Sequence, residues 1–472
     1  MDTGDTAWMM TSAALVLAMT APGLALFYGG MVRAKSVLNM MMMSFGALAL
    51  VAVLWVLVGY SLAFGDDVSA GLLGSPGQFF GLTSLLGTAG AGHGFAAVQL
   101  VGTVPASAFA AFQGTFAVLT VALVSGAIAD RARFGPWLVF AGVWLVLVYA
   151  PVAHWVFAVD GLQARVGGWL VNRVHLIDFA GGTVVEINAG AAGLALALVL
   201  GRRHGFGRDP MRPHNLTLVM AGAGLLWFGW FGFNAGSALG ANGQAAEVWV
   251  TTLAATAAGT LGWLAVERIR DSHATSLGAA SGVVAGGVAI TPSCSAVTPL
   301  GAVVVGLVAG AVCALAVGLK YRWGYDDSLD VVGVHLVGGL WGTLAIGLLA
   351  SASASAGVDG LLYGGGLAQL GRQAVGAGVV LVFSFAVSIV IGGLLARTWG
   401  FRIAAEDEVA GIDSVVHAET AYELDSLGGG AHLPARGQAL AEARAPGLAT
   451  VRADPPEAGR PSARPSPPRP PG

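Results

Sequence analysis

Charge is what this sequence has least of. Asp, Glu, Lys and Arg make up 10% of its 472 residues, where a soluble globular domain carries about 25%. A chain so poor in charge cannot cover a water-facing surface, which excludes the soluble classes. Cysteine is nearly absent as well: Cys294 and Cys313 are the only two, so no disulfide framework is implied. The net charge of −3 gives no basic footprint for a nucleic-acid partner. The start, MDTGDTAW, holds two aspartates and no lysine or arginine. That is the reverse of a signal-peptide start. The first apolar run is therefore expected to be retained, with its N-terminus outside.

What the chain has instead is apolar length. Hydrophobic residues make up 56% of it, and there are 72 glycines. In a soluble helix each glycine would cost about 1 kcal/mol relative to alanine. Between membrane helices, small residues let backbones approach closely. Eleven apolar segments follow one another, at 7–30, 37–64, 99–128, 136–159, 178–201, 214–236, 247–266, 276–291, 299–320, 333–351 and 373–396. Most reach the length of about 20 residues that a membrane crossing needs; segment eight is short and glycine-rich.

Loop charges test this count. Loops after odd-numbered segments hold fourteen lysines and arginines; loops after even-numbered segments hold only Arg165, Arg173 and Arg372. Positive residues collect on the cytoplasmic side. The bias places the N-terminus outside and the C-terminus in the cytoplasm, and a miscount by one helix would scramble it.

Segments five and ten begin alike, DFAGGTVVEINAG from Asp178 and DVVGVHLVGGLWG from Asp330. Each has an aspartate at the helix start and one ionisable residue inside, Glu186 or His335. They occupy the fifth place of successive five-helix sets. An odd number of helices per set forces opposite orientations. The expected fold is therefore an all-α polytopic membrane protein with eleven transmembrane helices, as two inverted five-helix repeats plus one. Such folds place their site at the repeat interface near the midplane.

A charge at a helix centre costs about 2.5–3.5 kcal/mol even on the lenient insertion scale. Glu186 must therefore face protein or a cavity. It is either a protonated, hydrogen-bonded structural residue or a proton-exchanging, cation-contacting residue of a pore. His335 has the same two readings. Asp178 and Asp330 suit helix N-caps. Phe112 and Phe116 are four apart and share a helix face, which suits packing or a pore wall. GWFGFNAGSA in segment six groups Trp230, Phe233, Asn234 and Ser237. Aromatic rings among small residues suit a small cation through cation–π attraction.

The segments PGLALFYGGMVRAKSVLN, AFQGTFAVLTVALVSGAIADRARF, DFAGGTVVEINAG, GWFGFNAGSALGAN and DVVGVHLVGGLWG together resemble the ammonium transporters of the Amt/Mep/Rh family. The resemblance runs from about residue 8 to 425. It implies a homotrimer in the cell membrane, each subunit with its own narrow hydrophobic pore for ammonium or ammonia, with methylammonium as an analogue. No cofactor is implied, and no enzyme domain fits. Phe116 and Phe233 then match two stacked rings that gate the outer pore. Phe112 and Ser237 match positions around the outer recruitment site, and Asp178 the buried aspartate behind it. His335 matches the second of two paired pore histidines.

The chain departs from that pattern in three places. Glu186 stands where the first paired histidine is usual, as in one branch of fungal members. In PVAHWVF, Phe157 stands where the recruitment tryptophan is usual, with Trp155 two residues earlier. The following loop, 158–177, is longer than usual and is expected to reshape the vestibule.

The chain divides on this reading into the transporter domain, 1–402, a cytoplasmic regulatory region, 403–426, and a Pro/Ala/Gly/Arg-rich tail, 427–472, whose composition cannot build a core. EDEVAGIDSVVHAETAYEL resembles the family's cytoplasmic tail, which packs under neighbouring subunits near where a PII-type signalling protein docks. Two alternatives stand beside transport. One is an ammonium sensor signalling through its tail. The other is an Rh-like electroneutral channel for ammonia or carbon dioxide.

Overall fold

A computed structural model describes residues 1–89 and 95–422. The expectation for the tail, 427–472, and for 423–426 lies outside the described residues. The described chain is mainly helical, with two small two-stranded ladders. Ten helices are long and apolar enough to cross a membrane: α1 Thr3–Met31, α2 Ala34–Phe64, α3 Ala106–Ile128, α4 Phe134–Phe157, α5 Gly182–Leu200, α6 Leu216–Gly236, α7 Gly243–Arg270, α9 Pro299–Trp323, α10 Val332–Leu349 and α11 Ala368–Thr398. Between α7 and α9 lies a shorter apolar helix, α8 Ser276–Ile290.

Local chemistry sets many of these boundaries. Side-chain oxygens of Asn215, Asn242, Thr275 and Thr298 accept from backbone N–H groups in the first turns of α6, α7, α8 and α9, the usual work of an N-cap. The apolar run from 99 becomes helical only at Ala106, because Leu100–Val101 pairs with Val104–Pro105 in a tight hairpin. Helix α8 ends at Ile290 with Thr291 still at helical angles; Pro292 after it has no backbone N–H to continue the ladder. Residues 291–297 continue as buried turns. Irregular backbone at membrane depth is tolerated where protein covers it.

Helices α5 and α10 cross closely. A Cβ on Gly190 would lie 2.5 Å from the Leu336 backbone nitrogen, and one on Gly339 would lie 2.9 Å from Cβ of Glu186. Only glycine fits at either place. The crossing sets Glu186 against His335.

The likeness of these two helices is deeper than their opening aspartates suggest, and offset from them. Asp327, not Asp330, accepts from the backbone N–H groups of Val331 and Val332 at the start of α10, at 3.1 and 2.7 Å. Asp330 instead bonds Lys320 Nζ at 2.6 Å. Asp178 and Asp327 each stand eight residues before Glu186 and His335. Three residues after each comes a left-handed backbone, Gly181 at φ +121° and Asp330 at φ +63°.

At the other end, residues 403–422 fold back under the bundle. Helix α12, Ala405–Ala410, presents Glu408 to the His204 backbone N–H at 2.7 Å and to Arg402 at 2.8 Å. Asp413 accepts from the backbone N–H groups of Leu38 and Asn39 in α2, at 2.9 and 2.8 Å. Beneath α5 and α10, Arg203 clasps Asp326 at 2.8 Å and Asp130 at 3.0 Å.

Candidate functional site

The site begins in the loop before α5. Asp178 accepts from the backbone N–H groups of Gly181, Gly182 and Thr183 at 2.7–2.9 Å and from the Thr183 hydroxyl at 2.5 Å. The Val184 N–H adds a longer contact of 3.4 Å. The positive φ of Gly181 turns the chain so that these donors converge. The cap is thus saturated, and among the described residues its partners are backbone N–H groups and the Thr183 hydroxyl rather than a charged side chain. A carboxylate offset in this way by dipoles leaves a field attractive to a cation. With its oxygens occupied, Asp178 is placed to attract a cation rather than to take a proton by contact.

A cavity of about 290 Å³ lies beside it, lined by Phe157, Ser237, Phe109, Gln113 and Gln163 among others. The Ser237 hydroxyl donates to the Phe233 carbonyl at 2.9 Å, which turns its lone pairs outward as acceptors. Trp155 takes no part: its indole donates to the Leu72 carbonyl at 2.8 Å and packs on Phe383.

Phe116 from α3 and Phe233 from α6 pack with ring centroids 4.2 Å apart and planes 31° apart, both essentially fully buried. Phe112 lies edge-on to Phe116 at 4.8 Å and is not among the cavity-lining residues. It packs against the pair through Phe116. Trp230 flanks Phe233 at 6.2 Å and is held by its indole bond to Thr291 at 3.0 Å.

In α5 and α10, His335 Nδ1 and Glu186 Oε2 are 2.7 Å apart, both buried. Each sits in a widened π turn, Gly182–Ile187 in α5 and Val332–Leu336 in α10; such turns often mark functional positions. Among the described residues nothing hydrogen-bonds Glu186 Oε1 or His335 Nε2, so each side chain keeps one free polar end. The shared contact holds one proton, donated by imidazole to carboxylate or by carboxyl to imidazole. Moving it is coupled to the proton state of both free ends.

A buried ring pair one helical turn from the cavity residues Gln113 and Ser237, with a buried acid–imidazole pair held in the same apolar helical bundle, fits a membrane permeation protein. The chain belongs to the Ammonium Transporter Family, whose model matches residues 7–422. It is 60% identical over 447 residues to an ammonium transporter of Mycobacterium tuberculosis, covering 92% of this chain and 93% of the relative. It is 46% identical over 431 residues to an ammonium transporter of Bacillus subtilis, covering 90% and 100%. Among solved structures, Mep2 of Saccharomyces cerevisiae superposes with a TM-score of 0.76 at 34% identity, covering 86% of this chain and 88% of that one.

Sequence reasoning missed Asp327, Thr183, Gln113 and Gln163. Asp327 had a usable signal: it precedes His335 by the spacing that separates Asp178 from Glu186. The two glutamines had none: Gln163 lies in a loop, where a polar residue is ordinary, and Gln113 lies inside α3 among residues that suit packing, until a cavity is seen beside them.

Proposed function

We propose that the protein carries ammonium across the cell membrane, recruiting it as the cation and passing it inward as ammonia. The carrying observation is the set of parts: a cavity backed by Asp178, the Phe116–Phe233 ring pair one helical turn from its Gln113 and Ser237, and the Glu186–His335 pair inside the helices that follow Asp178 and Asp327. Ammonium is close to potassium in size, so size alone cannot select it. Ammonium donates hydrogen bonds and can lose a proton; potassium does neither. Ser237 as acceptor and Phe157 as ring face answer the first property. The second answers the dry ring stack, where an ion stripped of water is heavily penalised and ammonia is not.

On this reading the proton leaves ammonium near Asp178 and travels separately, with Glu186 and His335 in its path, so net transport is electrogenic. Eleven membrane helices with the N-terminus outside and the C-terminus in the cytoplasm fit the loop charges. A homotrimer, the division at 402 and 426, and a PII-type partner at the cytoplasmic face belong to the same reading. The folded-back segment 403–422 supports them by placing a tail at the loops that carry the positive charge. Against the sensor reading stand relatives named as ammonium transporters over nearly the full chain.

The test is current from purified protein in liposomes on a solid-supported membrane after an ammonium pulse. A current that follows the pulse, with none for potassium, is the expected result. Electrical silence together with radiotracer uptake of methylammonium would move the reading to an electroneutral channel. Silence without uptake would move it to a sensor.

A further inference from the structure

Residues 158–177 form a compact lobe that walls the outer cavity. The lobe is stapled from within: Asn172 donates to the carbonyls of Ala158 and Gly168 at 2.9 and 2.8 Å and accepts from Asp160 N–H at 3.0 Å. It is tied to the loop after α2 through Asp67 N–H to the Val166 carbonyl at 2.8 Å and Arg165 N–H to Asp66 at 2.7 Å. At its far end Gln373 of α11 grips the Ile177 backbone on both sides, at 3.0 and 2.7 Å. The lobe is a held wall, so a side chain it presents is already ordered before a ligand arrives, which lowers the cost of binding.

The polar side chain that this lobe presents to the cavity is Gln163. Its Oε1 accepts from Val159 N–H at 3.1 Å, which fixes the carboxamide and leaves the second lone pair of that oxygen unused. Gln113, also lining the cavity, has no partner for its Oε1 among the described residues and is 7% exposed. Nothing holds its amide in one orientation, and rotation of that terminal torsion is soft. The ring face available in the same cavity is Phe157, a weaker cation–π partner than tryptophan.

Resting on the transport reading above, we infer that Gln163 is a specificity-determining residue: with Gln113 and Ser237 it makes the outer cavity a carboxamide-lined site for a small cation with several N–H donors. Ammonium, with four donors, uses the set fully. Methylammonium has three donors and a methyl group that takes up space. Potassium has no donor to offer.

The experiment compares ammonium and methylammonium currents of the full chain in liposomes for wild type, Gln163→Leu, Gln163→Glu and Gln163→Leu with Phe157→Trp. Losing one hydrogen bond to a charged ligand corresponds to about a tenfold to hundredfold rise in the half-saturating ammonium concentration of Gln163→Leu. Its maximal current stays close to wild type, and its preference for ammonium over methylammonium falls. Gln163→Glu lowers the half-saturating concentration, and Phe157→Trp restores part of what Gln163→Leu loses. A role confined to folding the lobe would move maximal current and leave the preference unchanged, and that result overturns the inference. So does an unchanged half-saturation in both Gln163→Leu and Gln163→Glu. If Gln163→Leu does not fold, Gln163→Glu decides by the same criterion. A wild-type protein without current or uptake fails the transport reading itself, before any variant is compared, and the inference falls with it.

Discussion

Glu186 and His335 lie 149 residues apart in the chain and 2.7 Å apart in space. Each comes from a widened first turn of its own helix. Their contact depends on two glycines, Gly190 and Gly339, which let α5 and α10 touch backbone to side chain. The pair is the one place where an acid and a base meet along the proposed path, and the first predictions concern it.

Glu186→Gln keeps the size and the hydrogen-bonding reach of the side chain and removes its titration. Positioned proton transfer is worth about a hundredfold or more, so the ammonium current should fall at least tenfold, with the protein still folded. Full current in this variant would remove Glu186 from the proton path. Glu186→His, which places two imidazoles in contact, should retain current, measured by the same ammonium pulse.

Gly190→Ala tests the crossing itself. Its Cβ would meet the Leu336 backbone 2.5 Å away, where no flexible side chain can yield. Overpacking of this kind costs about 1–3 kcal/mol. The helices should separate, and both thermal stability in detergent and current should drop. Wild-type current in Gly190→Ala would mean that the contact between Glu186 and His335 is not needed at this distance.

Phe116→Ala removes one ring of the stack. The space admits water, and an ion crossing there is no longer stripped of its hydration. The expected change is a potassium current that wild type lacks, read by a potassium pulse without ammonium. If potassium remains excluded, the stack is not the selectivity barrier.

Asp178→Asn exchanges one carboxylate oxygen for a donor, which then faces N–H groups of residues 181–184. The lost cap and the unpaired donors cost about 1–3 kcal/mol, and the attraction for a cation goes with the charge. Ammonium current should fall more than tenfold, a margin set by those two losses together. Thr183→Val, which removes a single hydroxyl donor, should reduce current without abolishing it. Equal loss in both variants would assign Asp178 to folding alone.

Asp326 is expected to set the acid response of the end of the bundle where residues 403–422 fold back. Burial by itself lifts its carboxyl, but the hydrogen bonds and charge of Arg203 outweigh that and hold it below the usual carboxylate range. A carboxylate with a lowered folded value stabilises fully above its unfolded titration, near pH 4, and loses that contribution as pH falls through the folded value. Wild-type protein in detergent should therefore lose thermal stability between about pH 5 and 3. Asp326→Asn should be less stable near neutrality by about 1–3 kcal/mol, because Arg203 keeps Asp130 but loses the charge and an acceptor of Asp326, and its stability should vary less over the same acid range. A parallel acid response in both proteins would place the sensitivity elsewhere.

Much of this molecule was legible in one dimension. Each of the eleven apolar runs became a helix, because the need to satisfy backbone groups away from water is met locally, within each span. Helix starts at Asn215, Asn242, Thr275 and Thr298 were equally local matters of side-chain capping. Glu186 and His335 stood out because a charge in an apolar run demands a reason. What a chain order does not encode is which faces meet. The choice of Asp327 over Asp330 as the cap and the packing of Phe116 from α3 on Phe233 from α6 were decided by contacts between distant segments. Gln113 and Gln163 became site residues only when a lobe from one loop was folded over the mouth of a helix bundle. Hydrophobicity sorts residues by solvent, one span at a time; pairing depends on shape and on small residues at crossings, and those are properties of two surfaces together.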